Sequence, residues 1–302
     1  MPAPFKVDPV FRRPTELLRA EIAVAMKEIE RARPGSADEK AKLARITELI
    51  RGQEGPALLR TALRHPGSRG RTAALEAARS IVAKHPRLAG FATGDLKAKE
   101  PARARAAVLF TLAARCDTPA LYAMDGLEHP HASVRETTLR GALRTAAILT
   151  DQGIMQLVAN HIMKTEQLPR LRALYARGLG QLGWAPGTTS LVTLLQDKSA
   201  LVRSEAMVAV ARVTGTLKGD KWTKARTAVQ RVAVIRALVA VSTTPTILST
   251  LKRWRSDKRR AKDPLGVSRP LRVSDAAAEA LAWHGALPTK TSATTSSAQG
   301  AT

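Results

Sequence analysis

Apolar positions recur at helical spacing along almost the whole chain. Near the N-terminus, Leu17, Leu18, Ile22, Ala25, Met26 and Ile29 form one stripe, and Leu43, Ile46, Leu49 and Ile50 form another. Pro34 and Gly35 separate the two stripes. Pro14 suits the first turn of a helix. Ser36 and Glu39 have the spacing of a capping box, in which each side chain satisfies the other's free backbone N–H. The pattern predicts an antiparallel helix pair over 14–33 and 37–51, so that residues 1–53 act as a lead and helical cap.

From residue 54 the pattern becomes periodic. Arg71, Arg105, Arg135, Arg172, Arg203, Arg231 and Arg272 each open an apolar segment. Four places on stand Leu75, Leu109, Leu139, Ala176, Met207, Ile235 and Ala276. Seven places on stand Ala78, Leu112, Ala142, Leu179, Val210, Leu238 and, breaking the pattern, Glu279. The steps between arginines are 34, 30, 37, 31, 28 and 41 residues. A helix-forming pattern that returns every ~30–40 residues predicts an all-α solenoid of stacked helix pairs. Each unit reads as a first helix, a tight turn and an arginine-led second helix. Gly183, Gly215 and Gly285 sit where a helix C-terminus wants a left-handed residue. The 41-residue step reflects an enlarged linker, 255–269, between a first helix at 244–254 and the last second helix. Residues 286–302 are rich in Ser, Thr and Ala and are expected to be disordered.

The turns HPGSRGR at 65–71, HPHASVR at 129–135 and LQDKSALVR at 195–203, followed by alanine-rich helices, resemble HEAT repeats of the short bacterial kind. The resemblance spans about 54–285. It is closest at 127–146, 169–183 and 195–215, while spacing rather than motif carries 87–115 and 218–241. It implies a right-handed α-solenoid of about seven repeats. That family often pairs a turn aspartate with the arginine six residues later. Asp197 and Arg203 keep the pair here, whereas His65 and His129 occupy the slot in two other repeats.

Composition agrees with close-packed helices: apolar residues make up 44% and aromatics only 3%. The single Cys116 excludes an intrachain disulfide framework and a four-cysteine zinc site. No secretory signal and no run long enough to cross a membrane is evident, so a cytoplasmic location is expected. Charge changes the picture most. There are 49 basic and 25 acidic residues, a formal net charge of +24 with His neutral. Residues 1–136 carry 24 basic and 16 acidic groups, net +8, and residues 137–302 carry 25 and 9, net +16. Such a surplus attracts nucleic acid, an anionic lipid surface or an acidic protein. A GC-rich genome also raises Arg and Ala together, but it does not account for the shortage of acids.

Two basic segments are candidate binding elements. LKRWRSDKRRAK at 251–262 holds Lys252, Arg253, Arg255, Lys258, Arg259, Arg260 and Lys262, with Trp254 as a face on which a base or an arginine would stack. LKGDKWTKAR at 217–226 holds Lys218, Lys221, Lys224 and Arg226 with Trp222. The bland readings are a solvated linker for the first and a Trp222 that packs a helix for the second. The helix-heading arginines also have two readings: phosphate contacts along one face, or hydrogen bonds to carbonyls of the preceding turn and the next repeat. A first-turn cation opposes the helix dipole by a few tenths to about 1 kcal/mol, which favours a specific bonding role.

Enzyme signatures are weak. The six histidines show no metal-ligand spacing, and no phosphate-binding glycine motif occurs, so no metal, cofactor or catalytic residue is expected. Cys116 reads as an isolated thiol. Some alkylpurine DNA glycosylases hold DNA on HEAT-like repeats with Trp and Asp near the lesion. Trp254 with Asp257, or Trp222 with Asp220, are the pairs such a reading would use. The reading that best covers these observations is a non-enzymatic scaffold whose basic surface engages nucleic acid or another polyanion. The alternative is a protein–protein adaptor with an acidic partner.

Overall fold

The computed structural model describes residues 15–114, 124–149, 152–217, 221–266 and 269–285. Pro14, Cys116, Lys218, Asp220 and the 286–302 tail lie outside them. The protein is mostly helical, as the apolar spacing predicts. Among the described residues the strand content is one two-residue antiparallel ladder, Arg260–Ala261 with Leu271–Arg272. The chain divides into two compact units, Met1–His161 and Ile162–Thr302.

The first unit opens with α1 (Thr15–Arg31) and α2 (Ala37–Arg51), followed by α3 (Gly55–Leu63) and α4 (Ser68–Val82). Helices α1 and α2 pack on both α3 and α4. Ile22, Met26, Ile46 and Ile50 are fully buried between them. Leu17, assigned to the buried stripe, is 59% exposed, because it lies in the first turn of α1. The capping box is half formed. Ser36 Oγ accepts the Glu39 N–H at 3.1 Å, but the Glu39 carboxylate takes the Gly35 N–H and the Arg69 guanidinium. A reciprocal box that the sequence reading missed joins Thr227 and Gln230.

Helical structure is short over 86–96 and 221–224. Residues 86–92 form a 3-10 stretch before the one-turn α5 (Thr93–Leu96), and Lys221–Lys224 form a single 3-10 turn. The second helices persist: α6 (Pro101–Ala113), α7 (Ala132–Leu149), α9 (Pro169–Leu182), α11 (Ala200–Thr214), α12 (Ala228–Leu238) and α14 (Val273–Trp283). Between them come α8 (Gln152–Lys164), α10 (Thr188–Leu194) and α13 (Pro245–Trp254). Gly183, Gly215 and Gly285 have φ of 63°, 66° and 68°, the left-handed caps the sequence predicts. Helix α9 lies directly on α11: a Cβ on Gly180 would sit 2.6 Å from Ala209 Cα, so only glycine permits that approach.

Candidate polyanion-binding surface

Five of the seven helix-heading arginines, Arg71, Arg135, Arg172, Arg203 and Arg231, are occupied by the fold, whereas Arg105 and Arg272 are exposed with no side-chain partner among the described residues. Arg135 Nη1 donates to the carbonyls of His129 and Pro130, both at 2.9 Å. Arg172 Nη1 reaches Glu166 O at 3.0 Å and Gln167 O at 2.7 Å. Arg203 Nη1 reaches Asp197 O at 2.6 Å and Lys198 O at 2.9 Å. The same offsets of six and five residues recur, so each guanidinium closes the turn before its own helix. Arg231 does so with Nε, donating to Ala225 O at 3.0 Å.

The residue at the head of the turn supplies a second bond. Asp197 Oδ1 accepts the Ser199 N–H at 2.8 Å, and Glu166 Oε1 accepts the Leu168 N–H at 2.8 Å. His65 Nδ1 accepts the Gly67 N–H at 3.1 Å, and His129 Nδ1 accepts the His131 N–H at 3.1 Å. Asp, Glu and His fill this slot alike because each offers one acceptor two residues upstream of a free N–H. His129 lies with Nε2 3.0 Å from Ala98 O, so both ring nitrogens are engaged.

Carboxylates then link one turn to the preceding helix. The sequence pairs Asp197 with Arg203, but Arg203 takes only its carbonyl. The carboxylate receives Arg172 Nε at 2.7 Å and Nη2 at 3.1 Å. Burial works against the Asp197 charge, but the hydrogen bonds from Arg172 and the Ser199 N–H, with the nearby positive charges of Arg172 and Lys198, together outweigh it and hold the carboxyl below its usual range. In the first unit, Asp95 is completely buried and joins Arg71 to Arg103, whose Nε donates at 2.6 Å. Arg105, assigned to the series, is exposed and has no side-chain partner among the described residues. Arg103 replaces it because it lies eight residues from Asp95, within reach of that carboxylate.

The 251–262 segment is split by the fold. Trp254 is 1% exposed and packs with Leu238, Ile247, Val273 and Ala277, so a nucleobase cannot reach its face. This corrects its assignment as a base-stacking platform. Arginines take that place: the Arg231 and Arg253 guanidinium carbons lie 5.6 and 5.9 Å from the ring centroid. Asp257 is equally closed. It accepts Arg259 Nε at 2.9 Å and Nη2 at 2.8 Å, the Arg259 N–H at 3.1 Å and Arg231 Nη1 at 2.6 Å. The Arg259 hydrogen bonds hold its carboxyl far below the usual range, a state unsuited to a general base. The Trp254–Asp257 pair therefore offers no open glycosylase site.

The two basic segments meet. Arg253 Nη2 donates to Thr223 O at 3.0 Å, and Arg259 Nη1 donates to Arg226 O at 3.0 Å. Both arginines therefore hold the segments together, beyond any part in binding. Trp222 is half-buried against the same core as Trp254. Lys221 begins the 3-10 turn that carries it. Lys224, Arg226, Lys252, Arg255, Lys258, Arg260 and Lys262 are exposed, with no ion pair or side-chain hydrogen bond among the described residues. Arg269 and Arg272, outside the predicted set, are exposed and unpaired in the same way.

The linker that the sequence leaves irregular is a hairpin that folds back on the unit. Arg170 Nη2 donates to Leu265 O at 2.9 Å. Arg177 binds Asp263 with two bonds of 2.8 Å and Glu205 with bonds of 2.9 and 2.7 Å. Arg236 adds a contact of 3.2 Å to Glu205. The two carboxylates overcome burial and raise the Arg177 guanidinium further above its usual range. Sequence reasoning missed this network, since nothing local links residue 177 to residue 263. Comparison with protein-family models and with curated proteins gives no match for this chain.

Proposed function

We propose that the protein is a cytoplasmic, non-enzymatic scaffold, a right-handed solenoid of HEAT-like helix pairs, that binds nucleic acid through phosphate contacts on the 252–262 segment and the adjoining 224–226 segment. The repeated arginine-to-carbonyl bonds at a constant offset support the repeat reading. One observation carries the binding reading: apart from Arg259, which pairs with Asp257, the exposed cations of this segment have no acidic partner among the described residues. Surface cations without partners keep their full attraction for a polyanion and give up no ion pair on binding. Lys and Arg without a matching set of base-reading side chains favour phosphate contact over sequence readout. No helix among the described residues is long and apolar enough to cross a membrane.

Fluorescence anisotropy with labelled DNA and RNA duplexes across a salt series tests this. Log affinity is expected to fall with log salt by about 0.9 per phosphate contact on DNA. Reversing Lys252, Arg255, Lys258 and Arg260 to Glu is expected to weaken binding by at least about 100-fold and to flatten that slope by several contacts. Arg253 and Arg259 are left intact because they join the segments. Affinity that ignores salt, or that survives the fourfold reversal, overturns the proposal. Capture of an acidic protein that persists after nuclease treatment, without co-purifying nucleic acid, supports the adaptor instead.

A further inference from the structure

The folded-back hairpin encloses a cleft of about 500 Å³ with α11 and the start of α12. That volume is typical of a small-molecule site. Its wall is mainly apolar, with Leu201, Val229, Val232, Ala233 and Leu271 along it. Val229 and Leu271 are 40% and 36% exposed, so an apolar surface is left open to solvent inside a concave site. The acids of the cleft are already neutralised. Glu205 receives Arg177 and Arg236, and Asp263 receives Arg177 and the Leu265 N–H at 3.0 Å. Lys262 and Arg269, by contrast, line the cleft with no ion pair among the described residues. Gln230 lies beside them. Its side-chain oxygen is engaged by the N–H groups of Arg226 and Thr227, both at 3.1 Å, which leaves its amide donors without a protein partner.

The hairpin is held over this cleft by charges buried in the unit. Burying such charges is seldom a net gain in stability compared with apolar packing. A network of this kind that serves mainly to pin an insertion implies that the shape under the insertion matters.

We propose that the cleft binds a small carboxylate with an aliphatic body, its chain on the Val229–Leu271 wall and its head group at Lys262, Arg269 and the Gln230 amide. An uncharged analogue would keep the wall contacts and lose the ion pair. A cationic analogue would face Lys262 and Arg269 with no free acid to meet it. This site shares Lys262 with the nucleic-acid reading, but the residues changed to test each are different.

Isothermal titration of the full chain with octanoate, octanol and octylamine, below their aggregation concentrations, tests the proposal. Octanoate is expected to bind saturably, at least tenfold tighter than octanol, with no saturable binding of octylamine. Val229→Glu is expected to abolish octanoate binding. It places a carboxylate in the mouth, and in the first turn of α12 an acid suits the helix dipole and leaves folding intact. Arg269→Gln, at an exposed position, is expected to bring octanoate down toward the octanol affinity while octanol itself is unchanged. Equal binding of all three probes, no saturable binding of any, or octanoate binding that survives Val229→Glu in a protein with an unchanged melting curve would overturn it.

Discussion

Helix α9 and the 255–272 hairpin belong to one unit and are both rich in arginine, yet they use it in opposite ways. In α9, Arg172 engages two carbonyls and Asp197, while Arg177 engages Glu205 and Asp263. In the hairpin, Arg259 is paired, but Lys258, Arg260, Lys262 and Arg269 are exposed with no ion pair among the described residues. The contrast shows that charge alone does not mark a binding surface. At Arg135, Arg172, Arg203 and Arg231 a carbonyl acceptor comes at a constant offset of six residues, because helix and turn geometry recur with the arginine. A cation in an insertion has no such acceptor and stays available to a partner.

Four substitutions test that contrast. The largest effect is expected from Arg177→Ala, which leaves Glu205 and Asp263 without their main partner and frees the hairpin. Removing one member of a buried charged network costs about 3–5 kcal/mol. Urea denaturation would show it, and a loss under about 1 kcal/mol would mean that the hairpin is held by other contacts. An intermediate, pH-dependent effect is expected at Asp257. Its folded carboxyl is held far below the usual range, so the stability it provides is complete above the unfolded value of about 3.9 and is lost as pH falls below it. Asp257→Asn is expected to lower stability at pH 7 and to shrink the difference between pH 7 and pH 3. An unchanged difference would assign the acid sensitivity to other groups, such as Asp197, whose carboxyl is also lowered. The smallest effect is expected at Arg105, which shares the sequence register but not the bonds. Arg105→Ala is expected to change stability by less than about 0.5 kcal/mol, whereas Arg103→Ala, which strips a partner from the buried Asp95, costs several times more. Equal costs at 103 and 105 would erase the distinction between register and bonding.

Much of the helical architecture was legible in the residues. The stripe containing Ile22, Met26 and Ile29 is buried, and the arginine-led segments form helices. Local rules suffice there, because a stripe of period 3.6 and a left-handed glycine each act within a few residues. The turn slot was half legible: Asp197 and the two histidines stood in register, but Glu166 was overlooked because it is neither an aspartate nor part of a His-Pro turn. The candidate site was least legible. Trp254 sits in a basic run that reads as exposed, yet it belongs to the buried stripe of α13 with Ile247, Thr250 and Leu251. Its flanking charges hid that period.

The helical class, the places of the arginines and the excess of positive charge in the second half can all be read from the residues alone. Those follow from composition and from spacing along one chain. Only the tertiary structure decided which cations are free. Whether a guanidinium meets water or a carboxylate depends on residues as far away as 177 is from 263, and on a hairpin whose return across α9 is written in no local pattern. Apolar period acts within one helix, whereas charge pairing acts through space, so the first can be read along a line and the second cannot.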